Sequence, residues 1–451
     1  MDIPDSIRKL MQQDHQVRVF IADAKKLEAK VAMLEQENRI LKEATNDLKK
    51  DNAKLSQRIE VVEHRVDALN EHMFKPSKHK DPNTPSNQGA KEGHEAHHRP
   101  KPDHIDETKD LALTNCPHCN HALGNVMETR ERLITNIQPA KPVVTKYVIR
   151  RYHCPHCNKL VNANPPEIPY SRFGIDLLLH IEFLRYGLRL PQDSIVKELE
   201  TCFGIHVSVG TIVNELSRFA AYAGPFYEQI RREIREAAAV NADETSWRKN
   251  GTQLWLWTFT SKWHTLLLIN DSRGKEVPKD VLGEHYAGVM TTDCLPTYDS
   301  MKCAKQKCWA HLLRETKRMK SEQGKLLRAE LKHILELAKS GEFTKDDMLA
   351  MLDSTINQGF DDYWCVSLIK RIQRYWHEWF TFMDTPGVDC TNNAAERSLR
   401  PSVVMRKITG GSRSDKGVHC HEVSMSVLAT WEKQGKDFMT EAEQLIRAQL
   451  P

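Results

Sequence analysis

The stretch Ala237-Ala238-Ala239-Val240-Asn241-Ala242-Asp243 carries a small apolar run into an aspartate, and Gly288-Val289-Met290-Thr291-Thr292-Asp293 repeats the pattern further along. Each reads as a buried strand whose aspartate sits where the strand meets solvent. Strand ends are where ligands collect in an open α/β sheet. Two more β-rich runs follow Asp243, Leu254-Trp255-Leu256-Trp257-Thr258-Phe259-Thr260 and Thr265-Leu266-Leu267-Leu268-Ile269, with a short turn around Ser261-Lys262. A helical stretch from Lys275 to His285 then leads to the strand before Asp293. The resulting β-β-β-α-β order predicts three adjacent strands and a crossover to a fourth, right-handed if that strand is parallel to its neighbour.

A third carboxylate lies in Thr391-Asn392-Asn393-Ala394-Ala395-Glu396-Arg397-Ser398-Leu399-Arg400. Spacing of i, i+3 and i+4 puts Asn392, Asn393, Glu396 and Arg400 on one polar helical face. A single Asp after a strand is usually a turn former or helix cap. Three carboxylates from separate elements suit hard divalent ions, Mg²⁺ or Mn²⁺, which take oxygen ligands. The set points to phosphoryl transfer on DNA by in-line displacement, without a covalent enzyme intermediate. Glu244 adjoins Asp243, but successive strand residues face opposite ways, so one of the two reaches the metal. Tyr298 is the challenger as a nucleophile, and Asp299 and Asp389 are weaker rival acids. Arg397 and Arg400 are expected to neutralise phosphate charge, with ordinary surface charges as the plain alternative. His311, after the strand-like Cys308-Trp309-Ala310, is expected to touch the scissile phosphate or a nearby acid, or to be a buried structural histidine.

At these residues the chain resembles the IS66-type bacterial transposases. The matching strings are Ala242-Asp243-Glu244-Thr245-Ser246-Trp247, Asp293 with Tyr298, Cys308-Trp309-Ala310-His311, and Asn392-Asn393-Ala394-Ala395-Glu396-Arg397 with Arg400-Pro401. Together with an amino-terminal zipper and a paired Cys-x-x-Cys module, the resemblance covers nearly the whole chain. It implies an RNase H-like core in which Asp243, Asp293 and Glu396 hold Mg²⁺ and carry out DNA strand cleavage and transfer. The implied partners are double-stranded DNA, as transposon ends and target, and accessory proteins of the same element. Cys294 stands where such proteins usually carry Gly after the second Asp. The rival readings are a catalytically decayed, dimeric, zinc-containing repressor and a metal-dependent nuclease.

Before this region, Leu27, Leu34, Leu41, Leu48, Leu55, Val62 and Leu69 recur every seventh residue, with Val31, Asn38, Thr45, Asn52, Ile59 and Val66 at the alternate seam position. This is a coiled-coil seam, and Asn38 and Asn52 in it favour a parallel dimer in fixed register. Residues 75–110 lose the period and read as a flexible linker whose histidines, among them His79, His94, His97, His98 and His104, are solvated. Cys116-Pro117-His118-Cys119 and Cys154-Pro155-His156-Cys157 are two copies of one tetrapeptide, and four thiolates match a structural Zn²⁺ shell. Strand-like runs at Arg132-Leu133-Ile134 and at 143–149 between them suit a zinc ribbon. A redox role needs only one such pair. The basic residues of this module suit phosphate contact.

Pro191 to Leu199, then Gly204, then Ser208 to Leu216 read as a helix-turn-helix, with Gly204 at the turn and Ser208 capping the second helix; an ordinary helical hairpin is the alternative. The expected organisation is therefore a multidomain α+β chain. It comprises a coiled coil over 1–74, a linker over 75–110, a zinc ribbon over 111–165 and a helical helix-turn-helix region over 166–235. An RNase H-like catalytic domain over 236–425, with a helical insertion over 312–388, and a C-terminal helix over 426–451 complete it. A length of 451 residues predicts several domains, and a net charge of +4 is too small by itself to argue for nucleic acid. With neither a leader nor an apolar run of about 18 residues, the expectation is a soluble, intracellular protein, and the resemblance implies a bacterial cytoplasm and association with the nucleoid. In that setting the eleven cysteines form no disulfide framework, and four are explained by metal.

Overall fold

The structure is a computed structural model and describes Leu27, residues 30–52, Leu55, Ser56, 102–137 and 140–450. It divides into two compact units, Met1–Arg130 and Glu131–Pro451.

In the first unit, residues 30–52 are helical, and Leu34, Leu41 and Leu48 of the heptad stripe are exposed on it together with Val31. The seam positions Ile59, Val62, Val66 and Leu69, most of the linker, and His79, His94, His97 and His98 lie outside the described residues. His104 is described and lies 3.3 Å from Asp106 on the surface. Cys116 opens a tight knuckle, its N–H donating to the His121 carbonyl and its carbonyl accepting from Asn120 N–H, both at 2.8 Å. Asn120 takes a φ of 60° to close it, a left-handed conformation that Asn tolerates.

The second unit begins with the matching knuckle. Cys154 N–H donates to Lys159 O and Cys154 O accepts from Asn158 N–H, each at 2.9 Å, with Asn158 at φ 56°. Strands β1 (Arg151–His153) and β2 (Leu160–Asn162) flank it as an antiparallel pair. The runs expected to be strands between the two knuckles are irregular instead. Val143 and Val144 are about nine-tenths exposed and meet no partner strand, and β-propensity without a ladder does not make a strand.

Helices α1 (Ile175–Glu182), α2 (Gln192–Phe203) and α3 (Val209–Glu236) follow. A π-helical turn, Phe183–Gly187, ends α1. Gly204 terminates α2 at φ 67°, and the Ser208 hydroxyl caps α3 by accepting from Thr211 N–H, so these two helix boundaries fall at the expected residues. The second helix is far longer than that motif requires, 28 residues, because its buried face continues along the main core.

The sheet comprises β3 (Ala239–Lys249), β4 (Thr252–Thr260), β5 (Thr265–Asn270), β6 (Val289–Thr292) and β7 (Ala304–Lys307), in the spatial order β5-β4-β3-β6-β7. β3, β4 and β5 form an antiparallel meander, and β6 and β7 add in parallel on the other side of β3. A short helix, α4 (Glu276–Leu282), lies on the connection from β5 to β6, as the β-β-β-α-β reading expects. Beyond β7 a helical segment comprises α5 (Trp309–Thr316), α6 (Glu322–Ser340), α7 (Lys345–Ile356), α8 (Tyr363–Arg374) and α9 (Thr381–Asp384). It has its own apolar core around Leu331, Leu352, Leu368 and Trp379, separate from the main core. Cys308-Trp309-Ala310 is therefore not a strand: Cys308 is the cap of α5, and β7 ends one residue before it.

Three helices close the chain: α10 (Asn393–Thr409), α11 (Asp415–Lys433) and α12 (Phe438–Arg447). α10 packs on β3 and β4, while α11 packs on β5 and α3. Helical cover explains why the later half of β4 is buried at successive residues rather than alternating ones. The domain boundary expected at residue 425 falls inside α11, whose buried run Val423 to Val427 is continuous with the main core.

Candidate active site

The parallel register pairs Asn241 with Thr291, and Asp243 and Asp293 each lie two residues further along. The acids are thus level on neighbouring strands. Asp293 follows the last residue of β6, as expected. Asp243 does not end its strand: β3 runs on to Lys249, with Asp243 opposite Thr258 of β4. What ends there is the parallel half of the sheet, because β6 turns away while the antiparallel pairing continues.

Each aspartate uses one oxygen locally. Asp243 Oδ1 accepts from Glu244 N–H at 3.0 Å, and Asp293 Oδ1 accepts from Leu295 N–H at 2.9 Å. Burial pushes the Asp243 carboxyl up to about 8, and the charges of Glu244, Asp293 and Glu396 add to the rise. The charges of the other two candidate acids are therefore felt at Asp243. Yet among the described residues no three His, Cys, Asp or Glu side chains converge closely enough to chelate one ion. Glu396, in the first turn of α10, faces two basic side chains of α5 instead: Arg314 Nη2 lies 3.3 and 3.4 Å from its two oxygens, and His311 Nε2 lies 3.5 Å from Oε1. His311 and Arg314 share a face of α5 by i, i+3 spacing, so Arg314 was findable once that helix was assigned. His311 is half-buried beside Glu396, and its Nδ1 is buried without a hydrogen-bond partner.

Asn392 is not a surface group. It is fully buried, with Nδ2 donating to Ala242 O at 2.7 Å, Oδ1 accepting from Asn241 Nδ2 at 3.2 Å, and its N–H directed at Cys308 Sγ at 3.1 Å. The side chain fastens the start of α10 to β3 beside Asp243, and the backbone N–H ties it to the cap of α5. Asn393 is half-buried at the start of α10, and Arg397 and Arg400 are exposed.

The opposite face of β3 holds Glu244, which accepts from Tyr298 Oη at 2.6 Å and from Arg273 Nη2 at 2.6 Å. Alternation thus separates the two neighbouring acids, as expected. Tyr298 is fully buried, and burial with the adjoining Glu244 charge pushes its phenol well above the ordinary range, so it has neither the exposure nor the ionisation of a nucleophile. Asp299 is engaged by Arg374 at 2.6 Å and Tyr375 Oη at 3.1 Å. Asp389 is exposed. Burial pushes the Cys294 thiol up to about 12, so it is an inert neighbour of Asp293.

Sequence reading missed Lys307. Its fully buried ammonium donates to Asp293 O at 3.2 Å and Thr292 Oγ1 at 3.3 Å. It also lies 3.5 Å from Glu378 and 3.9 Å from Asp299, and 4.4 Å from the centroid of the Tyr375 ring. One buried cation therefore joins the end of β6 to the helical segment. A lysine closing a short strand gives no hint of such burial, which its partners alone create.

At the two knuckles, backbone N–H groups stabilise the thiolates. Those of His118 and then Cys119 lower Cys116, and those of Cys157 and then His156 lower Cys154.

Residues 170–348 and 344–420 match the Transposase IS66 family, together more than half of the 451 residues. Residues 114–158 match the zinc-finger binding domain of transposase IS66 and include both Cys-x-x-Cys pairs. No curated protein matches the chain. With Asp243, Asp293 and Glu396 all inside the first of these matches, and both knuckles inside the second, the chain belongs to the IS66 family of transposases.

Proposed function

We propose that this transposase cleaves and joins DNA strands at the ends of its insertion sequence, on an RNase H-like core, with Asp243, Asp293 and Glu396 as the metal-binding acids. The observation that carries this reading is the register that puts Asp243 level with Asp293, with the Asp243 carboxyl raised first by burial and then by the charges of Glu244, Asp293 and Glu396. A buried carboxyl with a raised proton affinity, level with a second aspartate, is a fitting donor for a hard cation, which relieves the repulsion when the proton leaves. Bound Mg²⁺ or Mn²⁺ would supply charge neutralisation at the scissile phosphate and activation of the attacking oxygen. Asn392 and Lys307 hold the two strands and the helix that present the acids. Arg314 balances Glu396 with His311 beside it, and Arg397 and Arg400 draw in the DNA backbone. The antiparallel meander flanked by two parallel strands supports the RNase H-like assignment.

Metal-dependent nicking and joining of DNA carrying the element's terminal repeats tests the proposal. Cutting without joining would indicate a nuclease, and binding without cutting a decayed repressor.

Structural Zn²⁺ on Cys116, Cys119, Cys154 and Cys157 is supported by the zinc-finger match and by the amide-stabilised thiolates. Metal analysis should find one zinc per chain, lost in Cys116→Ser with Cys154→Ser; a zinc-free native protein would refute it. The exposed heptad leucines support a homodimer through the coiled coil. Sedimentation of a chain lacking residues 1–74 should show less association, and unchanged association would remove the zipper from that role. The helix-turn-helix and the basic zinc finger are the proposed readers of the terminal repeats, and accessory proteins of the element are proposed partners. No described helix is long and apolar enough to cross a membrane. Action on DNA makes a cytoplasmic, nucleoid-associated location the proposed one.

A further inference from the structure

Helix α10 has two unlike faces. Ala395, Leu399, Ser402 and Met405 are buried, while Arg397, Arg400, Val404, Lys407 and Ile408 are exposed. At about 100° per residue these five fall in one stripe about 100° wide. The stripe holds three cations and no acid, and it starts in the turn that carries Glu396. None of the described acids pairs with Arg397, Arg400 or Lys407. Nearby cations elsewhere are engaged, Arg314 with Glu396 and Lys249 with Asp415.

The far end of the stripe is held rigidly. Gly410 and Gly411 take φ of 76° and 103°, and a Cβ on Gly411 would lie 2.3 Å from the Arg248 carbonyl. Ser412 N–H donates to Arg248 O at 2.9 Å, and Asn250 N–H donates to Ser412 O at 2.9 Å. This turn brings the exposed Arg413 to the end of β3 that carries the exposed Arg248. The cations crowd one another: Arg397 helps to lower Lys433, and Arg248 helps to lower Arg406, in each case after burial. Arg406 is not part of the stripe, since its guanidinium is bonded to Ser246 Oγ at 2.6 Å.

We propose that the exposed face of α10, continued by Arg413 and Arg248, is a track for the backbone of duplex DNA that leads to Glu396. Arg397, Arg400 and Lys407 contact successive phosphates, and Val404 and Ile408 lie against the sugars between them. From Arg397 to Ile408 the helix rises about 16 Å. That is about five base-pair steps of duplex. The proposal rests on the DNA-processing reading above and assigns it a surface.

The test is the salt dependence of binding of the full chain to a random-sequence DNA duplex, by fluorescence anisotropy between about 50 and 200 mM salt. Each lost phosphate contact should reduce the slope of log K against log salt by about 0.9. Lys407→Gln with Arg413→Gln is expected to reduce it by nearly twice that and to weaken binding similarly on every sequence. Lys262→Gln with Lys370→Gln, exposed cations off the stripe, should leave it unchanged. A wild-type slope in the first pair, with duplex binding intact, overturns the track but leaves the enzymatic reading standing. Failure of the wild-type chain to bind duplex overturns both, and a preference for single-stranded RNA over duplex DNA overturns the track.

Discussion

Asn392 Nδ2 donates to the Ala242 carbonyl at 2.7 Å, so the cap of the helix bearing Glu396 is bonded to the residue before Asp243. Two of the three acids are thereby held together through one buried amide. Asn392→Ala would leave the Ala242 carbonyl and the Asn241 amide without these partners in the interior, at a cost of ~1–3 kcal/mol. Thermal unfolding should show that loss, and DNA cleavage measured well below the melting temperature should fall further than the remaining folded fraction explains. A destabilised variant with unimpaired cleavage would reduce Asn392 to a packing role.

Lys307 carries a second such link, from Asp293 to the helical segment. Lys307→Met removes the cation but leaves Asp299 and Glu378 facing the vacated site, and removing one member of a buried charged set costs ~3–5 kcal/mol. Urea unfolding should report a loss of that order. A loss near zero would mean that Arg374 and Tyr375 satisfy Asp299 without Lys307.

Glu182, at the end of α1, is fully buried with no hydrogen-bond partner for either oxygen, and burial pushes its carboxyl from 4.5 up to about 8 despite the facing Ser424 and Arg185. A carboxyl raised on folding contributes stability that is complete below the unfolded value and is lost as pH rises through the folded one. Glu182→Gln should therefore gain stability over the wild type as pH rises from about 5 to about 8, by on the order of a few kcal/mol. Parallel melting curves at the two pH values would check it, and a difference independent of pH would contradict it.

Local punctuation was legible in the sequence: Gly204 ends a helix by its backbone freedom, Ser208 begins one by its hydroxyl, and Asp293 directly follows a strand. Asp243 was found as a residue but misplaced, because only the pairing partners reveal that β3 outlasts its parallel neighbour. Asn392 and Lys307 are polar residue types whose burial depends on groups distant in sequence, so no local pattern shows it. The β-rich run at 143–149 failed for the converse reason, having propensity but no strand beside it.

The most direct test of the account is Mg²⁺-dependent cleavage and joining of terminal-repeat DNA by Asp243→Asn, Asp293→Asn and Glu396→Gln, each of which removes a charge and almost no volume. Every one of the three should lose at least about a hundredfold in rate, the scale of removing one preorganised charge-stabilising group. Folding and duplex binding should be retained. Full activity in any one of them would remove that acid from the site and contradict the three-carboxylate account.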